Sequence, residues 1–133
     1  MDINFKREGY IVSLQISVRQ CNDVTILDLR GKSAIDASEI ELLSKLRALT
    51  DNGKRKLLLN LADLTQMDST GISAIVESYL RLQRQDGELK LLVPPGRVRE
   101  VLALFRLLET IPSFEDETQA LASFRPRCDA AAS

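Results

Sequence analysis

Lys56-Leu57-Leu58-Leu59-Asn60-Leu61 is a short, almost continuous apolar run, and from about Ser69 a different pattern takes over, with apolar residues at helical spacing. A run of the first kind suits a strand covered on both faces, which occurs where helices pack over a parallel sheet. A strand leading through a short connection into a helix is the opening of a parallel β-α-β unit. Residues 56–61 are therefore the expected central strand.

Upstream, Val12, Leu14, Ile16 and Val18 alternate with polar residues, the period-two pattern of a half-exposed strand. Cys21-Asn22-Asp23 reads as a turn into a second strand, Val24-Thr25-Ile26-Leu27-Asp28-Leu29, so the two form an antiparallel hairpin at the sheet edge, and Gly31 is expected to break the strand. Leu42, Leu43, Leu46 and Leu49 mark a helix over roughly 38–51, opened by the capping pattern Ser38-x-x-Glu41 and ended by Asn52-Gly53.

Downstream, the helix from Ser69 carries Ile72, Ile75, Val76, Tyr79 and Leu80 on one face and stops at Asp86-Gly87. A strand over 89–93 follows. Pro94-Pro95-Gly96 then turns the chain into a third helix, with a proline in its first turn and Val98, Val101, Leu102, Phe105 and Leu108 on one face. Ile111-Pro112-Ser113-Phe114 is a further short strand. Asp116-x-x-Gln119 caps a last helix whose Ala120, Leu121 and Phe124 pack back on the sheet. The expected fold is α/β: one small domain, a mixed and mostly parallel sheet of four to five strands with an antiparallel edge hairpin, and about four helices mainly on one face. The domain is expected over 11–124, after an N-terminal tail at 1–10 and before a disordered Ala/Ser-rich tail at 125–133.

Composition narrows the chemistry. In 133 residues, 44% are hydrophobic and 28% charged, which suits one domain with a real core. Eighteen basic residues against nineteen acidic ones leave a net charge of -1, so there is no field to gather nucleic acid or anionic lipid. No apolar stretch approaches the ~20 residues of a membrane span, and the N-terminus lacks a secretory pattern, so a cytoplasmic protein is expected. The two cysteines, Cys21 and Cys128, suit a reducing compartment. With no histidine, Ser-His-Asp or Cys-His catalysis and imidazole metal sites cannot be built. Carboxylates remain, but no clustered ligand set such as an EF-hand loop is present, so no metal or cofactor is expected and an enzyme would have few tools.

In such sheets the functional crevice lies beyond the carboxyl ends of the strands. Two connections qualify there, 31–37 and 63–68, and they should be neighbours. The second ends in Met67-Asp68-Ser69-Thr70-Gly71, where Asp68 is a good N-cap and two hydroxyls enter the first helical turn. A phosphate on Ser69 would add about -1.5 to -2 charges at the positive end of the helix dipole. Spacing alone leaves two readings, a capped helix start or a phosphorylated switch.

The stretch Leu57-Leu58-Leu59-Asn60-Leu61-Ala62-Asp63-Leu64-Thr65-Gln66-Met67-Asp68-Ser69-Thr70-Gly71-Ile72 resembles the signature of STAS domains, the anti-sigma factor antagonists of bacteria. In that family an L-x-L-x-x-L strand leads to a D-S-S/T-G turn, and the serine after the aspartate is the phosphoacceptor. The resemblance runs from about Ile11 to Phe124, through Gly87-Glu88-Leu89-Lys90-Leu91, the proline turn and Glu117-x-x-Ala120-Leu121. This chain departs from the family in having Thr70 where serine is frequent, and in setting Gly31 and the Ile35-Asp36 pair two residues further apart.

The resemblance implies a small sheet with helices mainly on one face, and a partner-switching role without enzymatic activity. The unmodified domain would bind an anti-sigma factor that is a serine kinase with a histidine-kinase-like ATPase fold. Phosphorylation of Ser69, or failing that Thr70, would release it, and a serine phosphatase would restore it. Met67, Asp68, Thr70, Gly71 and Ile72, with Gly31, Ile35 and Asp36 from the neighbouring loop, would form the partner surface. A STAS subunit of a transport-accessory or stress-signalling assembly, never phosphorylated, is the alternative. A nucleotide-binding domain is the third reading, and no phosphate-cradling glycine motif supports it.

Overall fold

The computed structural model describes residues 15–33, 37–67 and 69–125, and of residues 32–33, 37–41 and 70 the backbone alone. The chain runs β1 (Gln15–Cys21), β2 (Val24–Ser33), α1 (Ala37–Asp51), β3 (Lys56–Met67), α2 (Ser69–Arg84), β4 (Glu88–Leu92), α3 (Arg97–Leu104), α4 (Leu107–Thr110), β5 (Ser113–Phe114) and α5 (Glu117–Ala122). The strands lie side by side in that same order, β1 antiparallel to β2 and every later pair parallel. The apolar run is thus the central strand, flanked on each side by parallel neighbours as its composition requires.

Side chains alternate across the sheet, and so do the two cores. Leu27, Leu29, Leu57, Leu59, Leu61, Leu89 and Leu91 pack against Leu42 and Leu46 of α1, Ala74, Ile75 and Leu82 of α2, Val98 and Leu102 of α3, and Leu107 of α4. The opposite face is smaller: Val24, Ile26, Leu58 and Leu92 are covered by Ala120 and Phe124. Helices therefore lie mainly on one face, and the last one closes the other. At the β1 edge the alternating pattern is only partly used: Ile16 packs against the larger core, while Val18 is 42% exposed.

The helix ends follow local chemistry. α1 stops in a Schellman turn, with Lys54 N–H donating to the Leu49 carbonyl at 3.0 Å and Gly53 at φ 90. α2 ends likewise, Gly87 N–H donating to the Leu82 carbonyl at 2.7 Å, but the left-handed residue is Asp86 at φ 62. Gly87 is required by close approach instead: a Cβ there would lie 2.7 Å from the Arg55 carbonyl oxygen and 2.8 Å from Leu82 Cδ2.

Two expectations about the third helix do not hold. Gly96 at φ 151 separates Pro95 from the helix, so neither proline lies in its first turn. The apolar stripe that continues through Phe105 to Leu108 is interrupted by Arg106 at φ 62, which starts a separate α4 and leaves Phe105 53% exposed. α5 begins as read, with the Asp116 carboxylate accepting from Gln119 N–H at 3.0 Å.

Candidate functional site

β3 pairs with β4 only from Lys56 to Asn60, whereas its pairing with β2 continues to Ser33 opposite Met67. Beyond Asn60 the sheet narrows to a two-stranded parallel arm, residues 30–33 beside 63–67, with Ser69 just past its far end. The strand break expected at Gly31 and the loop expected over 63–68 are therefore strand up to Ser33 and Met67. Each polar segment supplies the other's backbone partners, a tertiary effect that overrides the turn-forming character of Gly31 and Asp63.

The arm is irregular. Asp28 lies opposite Asn60 and Arg30 opposite Asp63, so β3 takes three steps where β2 takes two; a second shift falls between Gly31 and Lys32. Such bulges bend a strand and re-aim the residues beyond them. Gly31, at φ 96, absorbs the second bend, and the Thr65 hydroxyl donates to its carbonyl at 2.9 Å. The two connections expected to be neighbours are hydrogen-bonded to each other.

Ser69 is exposed and is the first residue of α2. The first turn of α2 contains no acidic residue, and the amino end of a helix favours an anion through its dipole and its N–H groups without intrahelical partners. Met67 and Ile72 are 4% and 6% exposed, so both serve chiefly as core anchors on either side of Ser69, and Gly71 is buried beside them. Gly31 is half-buried in the arm. Thr70 continues the helix backbone, while Asp68, Ile35 and Asp36 lie outside the described residues, as do the capping side chains of Ser38 and Glu41.

Two features escaped the sequence reading. Of the apolar stripe expected on α2, Ile72 and Ile75 are buried and Val76 and Tyr79 pack partly buried against the same core, whereas Leu80 is 47% exposed. Ile72 and Val76, with Ser73, Glu77, Leu80 and Arg84, also line an outward groove of about 380 Å³. The i, i+4 series 72, 76, 80 carried that signal, merged with the inner line. Glu77 at its rim is paired with Arg47 of α1.

The other is a polar chain on the sheet face that α5 leaves uncovered. Arg19 donates to Asp28 at 2.6 and 3.1 Å and to Glu117 of α5 at 3.1 and 2.7 Å. Asn60 Nδ2 donates to Asp28 at 2.7 Å, and Asn60 Oδ1 accepts from the Ala62 N–H at 3.1 Å, inside the first bulge. The hydrogen bonds from Arg19 hold the Asp28 carboxyl below the usual carboxylate range against the opposing effect of burial, with help from Asn60 and from the charges of Arg19 and Arg30. Arg19 is correspondingly pushed up, first by Asp28 and then by Glu117. No periodicity announces such a chain, because its members come from four separate elements.

Among the described residues no cluster of three Cys, Asp or Glu side chains is placed to hold a metal ion, and no helix is long and apolar enough to cross a membrane. The family model for the STAS domain matches residues 15–120. A protein of Bordetella bronchiseptica named as a candidate anti-sigma factor antagonist, BtrV, is 26% identical over 113 residues, covering 84% of this chain and 96% of that protein. The crystal structure of an anti-sigma factor antagonist from Mycobacterium paratuberculosis superposes with a TM-score of 0.77 at 18% identity, over 85% of this chain and 95% of the other. The Bacillus cell fate determinant SpoIIAA in its phosphorylated form superposes with a TM-score of 0.65 at 18% identity, over 81% and 97%. At those identities the two structures establish the shared fold alone.

Proposed function

The chain belongs to the STAS domain family, and from that premise we propose that it is an anti-sigma factor antagonist, switched off by phosphorylation of Ser69. The observation that carries the reading is the placement of Ser69: exposed, at the amino end of α2, and anchored by buried Met67 and Ile72 on either side. The names of the relatives point the same way, and one protein of the same fold is known in a phosphorylated form.

In this role the unmodified domain binds an anti-sigma factor that is itself a serine kinase with a histidine-kinase-like ATPase fold, and so frees a sigma factor. The kinase transfers the γ-phosphoryl group of ATP to the Ser69 oxygen; the P–O bond to ADP breaks, ADP is released, and the hydroxyl proton passes to solvent through a base of the kinase. A serine phosphatase adds water, restores the hydroxyl and liberates inorganic phosphate. The domain supplies a rigid, correctly presented acceptor and performs no catalysis of its own.

The effect of the phosphate depends on its surroundings. At the positive end of α2 the dianion is tolerated by the domain itself. A partner covering that helix end meets a hydrated charge it must desolvate, so release follows. Phosphorylation by the cognate kinase, read by mass spectrometry on the protein and on Ser69→Ala, tests the assignment. Loss of the modification in the variant is expected; undiminished modification would transfer the role to Thr70 or elsewhere, and an unmodified wild type bound to a transport or stress-signalling assembly would replace this reading.

A further inference from the structure

We propose that Asn60 is a positioning residue for Ser69, and that Asn60 is held in turn by a hydrogen-bonded chain through Asp28 and Arg19 to Glu117 of α5. The proposal rests on the reading of Ser69 as the modified residue, and adds a means by which the opposite face of the sheet governs that site.

Asn60 occupies the junction. It is the last β3 residue paired with β4, opposite Leu92, and the first bulge of the arm begins directly after it. Its carboxamide can face only one way: Oδ1 accepts from Ala62 N–H while Nδ2 donates to the Asp28 carboxylate, and the flipped amide would set N–H against N–H and oxygen against carboxylate. The negative charge on Asp28 therefore fixes the amide, and the amide fixes the bulge.

Asp28 is oriented by Arg19, whose guanidinium also donates twice to Glu117, the first residue of α5. Planar, forked contacts of this kind hold geometry better than single bonds. Besides this contact the arm is held by its pairing with β2 alone among the strands, by the Thr65 hydroxyl on the Gly31 carbonyl at 2.9 Å and by the exposed Arg30–Asp63 ion pair at 3.8 Å. Ala62, Asp63, Thr65 and Gln66 are exposed, and only Leu64 and Met67 are buried. A segment with so little burial opens locally unless its backbone is tied down, so the Ala62 contact has leverage on everything between it and Ser69. A protein that lifts α5, or competes for Glu117, loosens the arm and with it the presentation of Ser69.

Amide hydrogen exchange on the full chain decides this. Asn60→Ala removes both bonds and is expected to speed exchange at 62–67 about tenfold, against less than about twofold at 88–92 in β4, which shares no bond with the carboxamide. Asn60→Asp keeps an acceptor for Ala62 but sets a second carboxylate against Asp28, and should loosen the same residues. Glu117→Gln, outside the arm, gives a smaller increase confined to 62–67 and α5, and supplies the same readout if Asn60→Ala fails to fold. Equal increases in the arm and in β4, or no increase in the arm, would overturn the proposal.

With the cognate kinase, Asn60→Ala should lower kcat/KM at Ser69 by about tenfold, since only part of the cost of losing its two hydrogen bonds is felt at a residue it positions at a distance. A normal rate on a loosened arm would sink the link to Ser69. A wild type that is never phosphorylated would instead remove the reading of Ser69, while the exchange result still decides whether Asn60 sets the arm.

Discussion

The two faces of the sheet are closed by different forces. Beneath α1 to α4 lie mainly leucine, isoleucine and valine side chains, with the buried hydroxyls of Thr50 and Ser78 on the helices. Beneath α5 a patch centred on Ile26, Leu58, Ala120 and Phe124 is ringed by charge. There Lys90 donates to the Ser123 carbonyl at 2.7 Å and stands 4.8 Å from the centre of the Phe124 ring; Arg125 binds Glu88 at 3.0 Å; and Arg19 joins Asp28 to Glu117. The first face draws its stability from area, which neither pH nor salt changes much. The second depends on ionised groups, so its cover is the part of the fold that conditions can loosen.

The largest effect should come from the first face. Leu59→Ala, at a fully buried central position, is expected to cost about 2–5 kcal/mol, read as a fall in the urea midpoint with the slope unchanged. A loss below that range would show that the helical layer collapses around the cavity and is less closely packed than its burial suggests. On the second face, Phe124→Leu keeps an apolar contact but removes the ring beneath Lys90, and a cost of about 1–1.5 kcal/mol is expected by the same measurement. If the two variants lost equal stability, the asymmetry between the faces would be gone.

Both faces were legible to different degrees in the sequence, and for the same reason. The larger core announces itself by periodicity: Leu57-Leu58-Leu59 gives a covered strand, and Leu42, Leu46, Val98 and Leu102 give helices on one side. The capped start of α5 at Asp116 was legible too. What could not be read depends on partners remote in sequence. Asp63 and Thr65 look like loop residues until Arg30 and Gly31 lie beside them. Phe105 fits an apolar stripe until Arg106 adopts a left-handed turn. The start of α2 at Ser69 was legible from its spacing, but the arm before it and the Asn60 junction were not, because bulges and cross-sheet hydrogen bonds leave no repeating trace.

Acid should separate the two faces further. Burial raises the pKa of Glu88, but the side-chain and backbone bonds from Arg125 and the contact with Lys90 outweigh it, so the carboxyl titrates below its usual range. Asp28 is likewise lowered by Arg19. A carboxyl whose folded pKa is depressed adds stability that is complete above its unfolded pKa, about 4, and that is lost as pH falls through the lower, folded value. Stability should therefore fall as pH drops below about 5, with α5 and Arg125 losing exchange protection before the helical layer. Glu88→Gln should cost about 1 kcal/mol at pH 7 and flatten the acid limb. An acid limb unchanged in that variant would mean that charge on this face is not what holds α5.

The smallest effect on stability should come from the proposed switch. α2 belongs to the face closed by area, and Ser69 projects from its start into solvent, so Ser69→Asp adds charge without disturbing either core. The helix dipole favours an acid there, and the expected change is within about 0.5 kcal/mol, in the stabilising direction. Partner binding should behave oppositely, weakening with Ser69→Asp and surviving Ser69→Ala, as titration calorimetry with the purified anti-sigma factor would show. If Ser69→Asp destabilised the domain as much as Phe124→Leu does, the phosphate would have to act by loosening the fold itself. The division between a stable scaffold and an adjustable surface would then fail at the proposed switch itself.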